Sequence, residues 1–121
     1  MLGRMTTATP VLSPRERQAG GCCEASVIPD LTPTDADTLA VLVKALADPT
    51  RLRIIDAVRK ASPEALCQCE LLPLFDMSQA AVSKHLKVLT TAGVLGSERR
   101  GTWIYYYLRL DALKELTTWL S

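Results

Sequence analysis

The spacing of apolar residues changes abruptly at Gly93, and this change limits the folds open to the chain. Before it, apolar residues recur at helical intervals behind Ser78, a favourable N-cap: Val82, Leu86 and Leu89. After it, "VLGSERRGTWIYYYLRL" alternates with a period of two on either side of Arg99-Arg100-Gly101. The segment therefore predicts a helix that ends at Gly93 and a β-hairpin that follows it directly.

Other helices are predicted from their caps and breakers. Thr32-Pro33 and Asp48-Pro49 each open a helix, and Ser62-Pro63 ends the second one. A short helix is predicted over 70–75, and Asp111 is expected to cap a final helix. The inward residues are predicted to be Leu39, Leu42, Val43 and Leu46 in the first helix, Leu52, Ile55 and Val58 in the second, and Leu113, Leu116 and Leu120 in the last. The expected fold is mainly α with a small β-hairpin.

A short helix, a tight turn and a longer helix form a helix-turn-helix, and the hairpin after it would be a wing. Residues 78–110 carry five basic side chains against one acidic one, a net charge of +4 that favours contact with a polyanion. An ordinary solvated basic face is the alternative. The candidate DNA-contacting residues are Ser78, Gln79, Ser83, Lys84, His85, Lys87, Arg99 and Arg100.

Four cysteines occur in two pairs, Cys22 with Cys23 and Cys67 with Cys69. The first of these pairs lies in residues 1–30, which are rich in Thr, Pro, Gly and Ser and are predicted to be a flexible tail. Residues 31–121 are predicted to form the folded domain. Because no signal peptide and no membrane-spanning run is recognised, we expect a cytoplasmic protein without membrane contact, in which thiols stay reduced. Clustered reduced thiols indicate metal or redox chemistry.

Three segments resemble the signature of the ArsR/SmtB family of metal-responsive winged-helix repressors: "KALADPTRLRIIDAV", "SQAAVSKHLKVLTTAGVL" and "RRGTWIYYYL". They occur in the order and spacing of that family, and the resemblance covers about residues 39–120. It implies a winged helix-turn-helix that binds operator double-stranded DNA as a homodimer through its first and last helices. It also implies release of the operator when an inducer binds, and no enzymatic activity.

The resemblance extends to the cysteines. Cys67 and Cys69 match the Cys-x-Cys that arsenic, cadmium and lead sensors carry at the start of the helix-turn-helix, while the last helix lacks the histidines of zinc, cobalt and nickel sensors. Leu72 stands where some arsenic sensors have a third cysteine, so Cys22 and Cys23 are the candidates for further ligands. The implied inducer is As(III) or Sb(III). Cd(II) or Pb(II), or a thiol redox switch, are the alternatives.

Helix geometry limits how Cys67 and Cys69 can meet on one ion. Residues i and i+2 of a regular helix point about 200° apart, so both sulfurs can face one ion only where the chain is extended or capping. The tripeptide from Cys67 to Cys69 is therefore expected to lie before the helical hydrogen-bond ladder. The helix N-terminus is expected to lower the pKa of both thiols. His85, the single histidine, is interpreted as a DNA-backbone or packing residue, because one imidazole makes no metal site.

Overall fold

The computed structural model describes residues 27–121, and the predicted ligands Cys22 and Cys23 lie outside the described residues. Five α-helices and three short strands alternate along this part of the chain: α1 (Pro33–Leu46), α2 (Pro49–Ala61), β1 (Leu66–Cys67), α3 (Gln68–Leu71), α4 (Gln79–Thr91), β2 (Leu95–Arg100), β3 (Trp103–Leu108) and α5 (Leu110–Leu120). A single 3-10 turn, Leu72–Leu74, continues α3. None of the helices in this range is long and apolar enough to cross a membrane.

Side chains cap the predicted helix starts. The Thr32 hydroxyl accepts from the Asp35 amide at 3.1 Å, the Asp48 carboxylate from Arg51 at 3.0 Å, and the Ser78 hydroxyl from Ala81 at 3.2 Å. Each of these bonds satisfies an amide that has no partner within its own helix. The predicted starts of α1, α2 and α4 are therefore confirmed.

The start of α5 differs from the prediction. Its N-cap is Arg109, and Asp111 lies in the first turn. The cause is the sheet, because the Arg109 amide donates to the Val94 carbonyl at 2.9 Å directly after β3 ends. The chain is thereby turned into the helix before it reaches Asp111. Asp111 keeps the favourable position of an acid near a helix N-terminus.

The core lies where α1, α2 and α4 meet the sheet. Val82, Leu86 and Leu89 are buried as predicted. Leu52 and Val43 were expected in the core but are 52% and 44% exposed, whereas Ile54 is fully buried. The inward face of α2 runs through Ile54 and Val58, and Leu52 lies about 200° around the helix from Ile54. The described core comprises Leu42, Ala45, Ile54, Val58, Leu71, Phe75, Val82, Leu86, Leu89, Val94, Leu95 and Tyr106.

The hairpin is the outer part of a three-stranded antiparallel sheet with the order β1-β3-β2. In β2 and β3 the register runs from Leu95 opposite Leu108 to Arg100 opposite Trp103, and Gly101 turns the chain with a φ of 64°. Strand β1 was not predicted. It places Cys67 opposite Tyr105 and so joins the first cysteine of the pair to the wing. The mainly α fold with a small hairpin is confirmed, with α3 and α4 as the helix-turn-helix and β2–β3 as the wing.

Candidate thiol centre and nucleic-acid interface

Cys67 and Cys69 meet at the start of the helix-turn-helix. Cys67 is the N-cap of α3, with the extended dihedral angles φ −70° and ψ 147°. Its sulfur accepts a hydrogen bond from the Cys69 amide at 3.4 Å, and the two Sγ atoms lie 2.7 Å apart. The Cys69 amide thus bonds to a sulfur and not to a carbonyl of the helical ladder. Cys67 lies before the helical ladder, in a capping conformation, as expected, whereas Gln68 and Cys69 were expected there too but already lie within α3.

The same cap explains why α3 begins earlier than expected. The Cys67 amide donates to the Glu70 carboxylate at 3.5 Å, so the two residues form a capping box at this helix start. The prediction placed the helix start at Glu70, whereas the helix begins at Gln68. Cysteine is not among the residues favoured at N-caps, so nothing in the sequence marks Cys67 as the start.

The two thiols differ in their surroundings. Cys67 is buried and Cys69 is exposed. The pKa of Cys69 is raised, first because its thiol donates a hydrogen bond to Cys67, then because of desolvation and of negative charge on Cys67 and Glu70. The expected lowering by the helix N-terminus was therefore wrong for Cys69. A helix of four residues has little dipole, and the neighbouring sulfur and carboxylate outweigh it.

Within residues 27–121, the thiol pair has no further metal-ligating neighbour. This range contains no cluster of three or more His, Cys, Asp or Glu side chains arranged to hold an ion. Leu72 follows in the 3-10 turn, and Glu70 is engaged in the cap. The described part of the chain therefore supplies a dithiol, and any third sulfur has to come from outside it.

The outer face of α4 is polar and carries the basic residues of the predicted interface. Its solvent-exposed residues are Gln79, Ala80, Lys84, Lys87, Val88 and Thr91. Gln79, Lys84 and Lys87 thus stand on one continuous surface, which can present an amide and two cations to a groove and its phosphates. Ser78 precedes them, and its hydroxyl is used in the cap.

Ser83 and His85, also predicted to contact DNA, each have one polar side-chain atom, Oγ and Nδ1 respectively, bound within the protein. The Ser83 hydroxyl accepts from Gln68 Nε2 at 2.6 Å. His85 Nδ1 accepts from Arg51 Nη1 at 3.3 Å and lies 3.9 Å from the Asp48 carboxylate. Arg51 in turn donates through Nε to a carbonyl at the end of α1, at 2.7 Å. These contacts support the packing interpretation of His85. Gln68 and Arg51 are positions that sequence reasoning missed.

The tip of the wing is basic and partly aromatic. Arg99 and Arg100 are exposed at the end of β2. Arg100 lies 3.3 Å from the Glu98 carboxylate, and its guanidinium stacks over the Tyr105 ring at 5.0 Å. Trp103, paired with Arg100 across the hairpin, is exposed. The wing therefore presents cations beside an aromatic surface, a combination suited to a nucleic-acid backbone.

A second exposed surface lies on the first and last helices. Trp119 and Leu120 of α5 are 50% and 67% exposed, and Leu110 and Val41 are exposed as well. The prediction that Leu120 packs inward is therefore not met within the described chain. Leu113 and Leu116 pack partly against the core, while the outer side of α5 keeps its apolar side chains in solvent. Large apolar side chains exposed on α5 are typical of an interaction surface.

Comparison with known proteins shows which family the chain resembles. The family model "Bacterial regulatory protein, arsR family" matches residues 48–97, from the start of α2 into β2. The arsenical resistance operon repressor of Bacillus subtilis is 40% identical over 73 residues, which are 60% of this chain and 68% of that protein. The cadmium resistance transcriptional regulatory protein CadC of Listeria innocua is 32% identical over 75 residues, 62% of this chain and 61% of that protein.

A solved structure shows the same fold. HlyU from Vibrio cholerae superposes with a TM-score of 0.59 and 27% sequence identity, over 74% of this chain and 97% of that one. The family match covers the helix-turn-helix and the start of β2, and the structural match covers 74% of the chain. The chain therefore belongs to the arsR family of bacterial regulatory proteins, and it is a winged helix-turn-helix transcriptional regulator and not an enzyme.

Proposed function

We propose that the protein is a repressor that binds operator double-stranded DNA as a homodimer and releases it when As(III) or Sb(III) binds to its cysteines. One observation carries the proposal. Two sulfurs, those of Cys67 and Cys69, lie 2.7 Å apart at the start of the helix that supports the DNA-reading helix α4. Sulfur ligands select soft ions, and this position puts them where binding can disturb α4.

Arsenite chemistry suits protonated thiols. In neutral As(OH)3 each arsenic–sulfur bond that forms replaces an arsenic–oxygen bond, and the thiol proton leaves with the hydroxyl group as water. No proton is released to the solvent, so a thiol that holds its proton, as Cys69 does, is no obstacle. Cys67 and Cys69 would provide two of the three bonds. Cys22 or Cys23 would provide the third.

We assign operator contact to the exposed residues of α4 and the wing. Gln79 would read base edges, while Lys84, Lys87, Arg99 and Arg100 would contact phosphates. Ser78, Ser83 and His85 would hold α4 in place, because their polar atoms are bound within the protein. A homodimer through α1 and α5 would cover the exposed apolar side chains of those helices and set the spacing of the two reading helices.

Two alternatives use the same sulfurs. A cadmium or lead sensor is favoured by the similarity to a cadmium resistance regulator. A redox switch is favoured by the contact between the two sulfurs, since oxidation by a peroxide or other two-electron oxidant would convert neighbouring thiols to a disulfide. All three possibilities keep the same DNA-binding surface and differ only in what acts on the thiols.

The test is an operator-release titration under anaerobic, reducing conditions. A duplex selected from a random library by the purified protein is labelled, and its dissociation constant is measured with and without arsenite or Cd(II). Peroxide is tested in a separate titration from which the reductant has been removed. We expect arsenite to weaken binding about 5- to 150-fold, the usual range of allosteric coupling. Cys67→Ser and Cys69→Ser should each abolish the response and retain operator binding. Unchanged affinity in saturating arsenite would refute the proposal.

The tail cysteines need their own arm of that experiment. Cys22→Ser and Cys23→Ser are tested singly and together. If either supplies the third bond, the double variant loses most of its arsenite affinity, whereas neither change alters operator binding without arsenite. A full arsenite response in the double variant would remove the tail from the proposed ligand set.

A further inference from the structure

Gln68 links the two helices of the helix-turn-helix directly. Its side-chain amide Nε2 donates to the Ser83 hydroxyl on α4 at 2.6 Å, and the contact is partly buried. Within residues 27–121 this is the sole side-chain hydrogen bond that joins α3 to α4. The remaining contact between the two helices is apolar, through buried residues such as Leu71 and Val82.

Gln68 is the residue between the two cysteines of the thiol pair. It lies between Cys67, the N-cap of α3, and Cys69, the second residue of the same helix. Its backbone is therefore part of the short loop of chain that holds both sulfurs. A rearrangement of those sulfurs that involves the backbone passes through residue 68 and moves the end of its side chain.

We propose that Gln68 is the positioning residue that transmits inducer binding from the thiol pair to α4 through its hydrogen bond with Ser83. This inference rests on the function proposed above. Ser83 stands on α4 between Gln79 and Lys87, one helical turn from each. A change in the bond to Ser83 therefore alters α4 at the centre of its predicted DNA-contacting surface.

The geometry of the sulfurs gives the direction of the rearrangement. Two sulfurs bound at about 2.3 Å to one central atom lie more than about 3 Å apart at any bond angle above about 90°. The two thiol sulfurs lie closer together than this, at 2.7 Å, so the pair has to open to accept a central atom. The Gln68–Ser83 hydrogen bond is short, 2.6 Å, and is weakened by any lengthening. An opening that displaces residue 68 would therefore weaken the Gln68–Ser83 bond.

The resistance to such a movement is small. Helix α3 has only four residues, so few backbone hydrogen bonds oppose a change at its start. The cap bonds at this start are weak: the Cys69 amide donates to a sulfur, a poor acceptor, at 3.4 Å, and the bond from the Cys67 amide to the Glu70 carboxylate is long, 3.5 Å. By contrast, Cys67 is held by its backbone pairing with β3. Opening of the thiol pair is therefore expected to displace residues 68 and 69 more than Cys67.

The test measures coupling and not affinity alone. For each variant, the operator dissociation constant is determined without arsenite and with saturating arsenite, and the ratio of the two is the coupling. We expect Gln68→Ala and Ser83→Ala each to lower this ratio about two- to tenfold, the value of one lost hydrogen bond. The double variant should lose no more than either single one, because both changes remove the same contact. Arsenite affinity of the DNA-free protein, followed by absorbance of the arsenic–sulfur bond, should be retained or should rise by at most about the same two- to tenfold, because the bond that opposes opening of the thiol pair is removed.

Matched variants separate this role from a general structural one. Ser83→Thr keeps the accepting hydroxyl and should show the same coupling ratio as wild type. Gln68→Asn shortens the side chain and should lower the ratio as Gln68→Ala does. Thr90→Val removes another hydroxyl of α4, one that bonds only to a carbonyl of its own helix, and should leave the ratio unchanged. Circular dichroism melting verifies that each variant is folded.

The outcomes are distinguishable. If wild-type protein ignores arsenite, the proposed function fails and this inference fails with it. If wild type responds and Gln68→Ala and Gln68→Asn respond as fully, the function stands and the coupling role of Gln68 is refuted. A reduced ratio in these variants together with a normal ratio in Thr90→Val supports the inference.

Discussion

The response to pH distinguishes arsenite from cadmium as the inducer. The thiol hydrogen bond to Cys67 and the nearby negative charge raise the pKa of Cys69, so this thiol is protonated throughout pH 6.5–7.5. Cd(II) has to displace that proton, and its apparent affinity should therefore rise at least tenfold over this interval. Each further protonated thiol that binds adds another factor of ten. Arsenite releases no proton, and its midpoint should move by less than about threefold.

The assay is fluorescence anisotropy of a labelled operator duplex, titrated with arsenite or Cd(II) at several pH values under a phosphine reductant. Inducer midpoints are compared with an inducer-free titration at the same pH, which removes any pH effect on DNA binding itself. Direct cadmium binding to DNA-free Cys69→Ser, followed by absorbance of the cadmium–sulfur bonds, serves as the control, because the loss of one thiol proton should reduce the pH slope of cadmium affinity by about one factor of ten per pH unit. An arsenite midpoint as steep in pH as that of cadmium would contradict the proton balance assigned to the thiol pair.

Three further predictions concern DNA binding, stability and assembly. Lys87→Ala and Arg99→Ala should each reduce the slope of log affinity against log salt by about one, measured by anisotropy between 50 and 200 mM salt, because each removes one phosphate contact. Ile54→Ala should destabilise the protein by about 2–5 kcal/mol in urea unfolding, since it empties a fully buried site, whereas Leu52→Ala should change stability by less than about 1 kcal/mol. Trp119→Asp should shift the protein from dimer to monomer in sedimentation, and an unchanged sedimentation coefficient would exclude α5 from the interface.

Local chemistry made much of the fold predictable. The caps at Thr32, Asp48 and Ser78 depend on residues within three positions of each other, so the sequence contains the whole signal. The hairpin is similarly local, because its alternation and its turn lie within one segment. The exposed Leu52 shows the limit of such reasoning. Apolar residues at spacings of three and four can be assigned to either side of α2, and only packing against α4 and the sheet selects Ile54.

The residues of the thiol pair were predictable from the sequence, but their contacts with the sheet and with α4 were not. Helix geometry predicted that Cys67 and Cys69 meet outside a regular ladder; the cap at Cys67 agrees with this, whereas Cys69 lies within α3. The two-residue strand β1 has no recognisable period, and its pairing with β3 joins residues far apart in the chain. The raised pKa of Cys69 depends on a contact between sulfurs, and the bond from Gln68 to Ser83 depends on how two helices pack. None of these is encoded in local spacing.

The thiol pair is joined to both DNA-contacting elements by separate routes. Cys67 pairs through its backbone with Tyr105 of β3, the strand that forms the wing with β2. Gln68 reaches α4 through Ser83. An inducer at these sulfurs therefore need not lie in the path of the DNA to weaken binding, because it acts on the alignment of reading helix and wing. Since coupling is reciprocal, operator DNA that holds this alignment must equally resist the opening of the thiol pair. The same short segment of chain would thus account for both the sensing and the release.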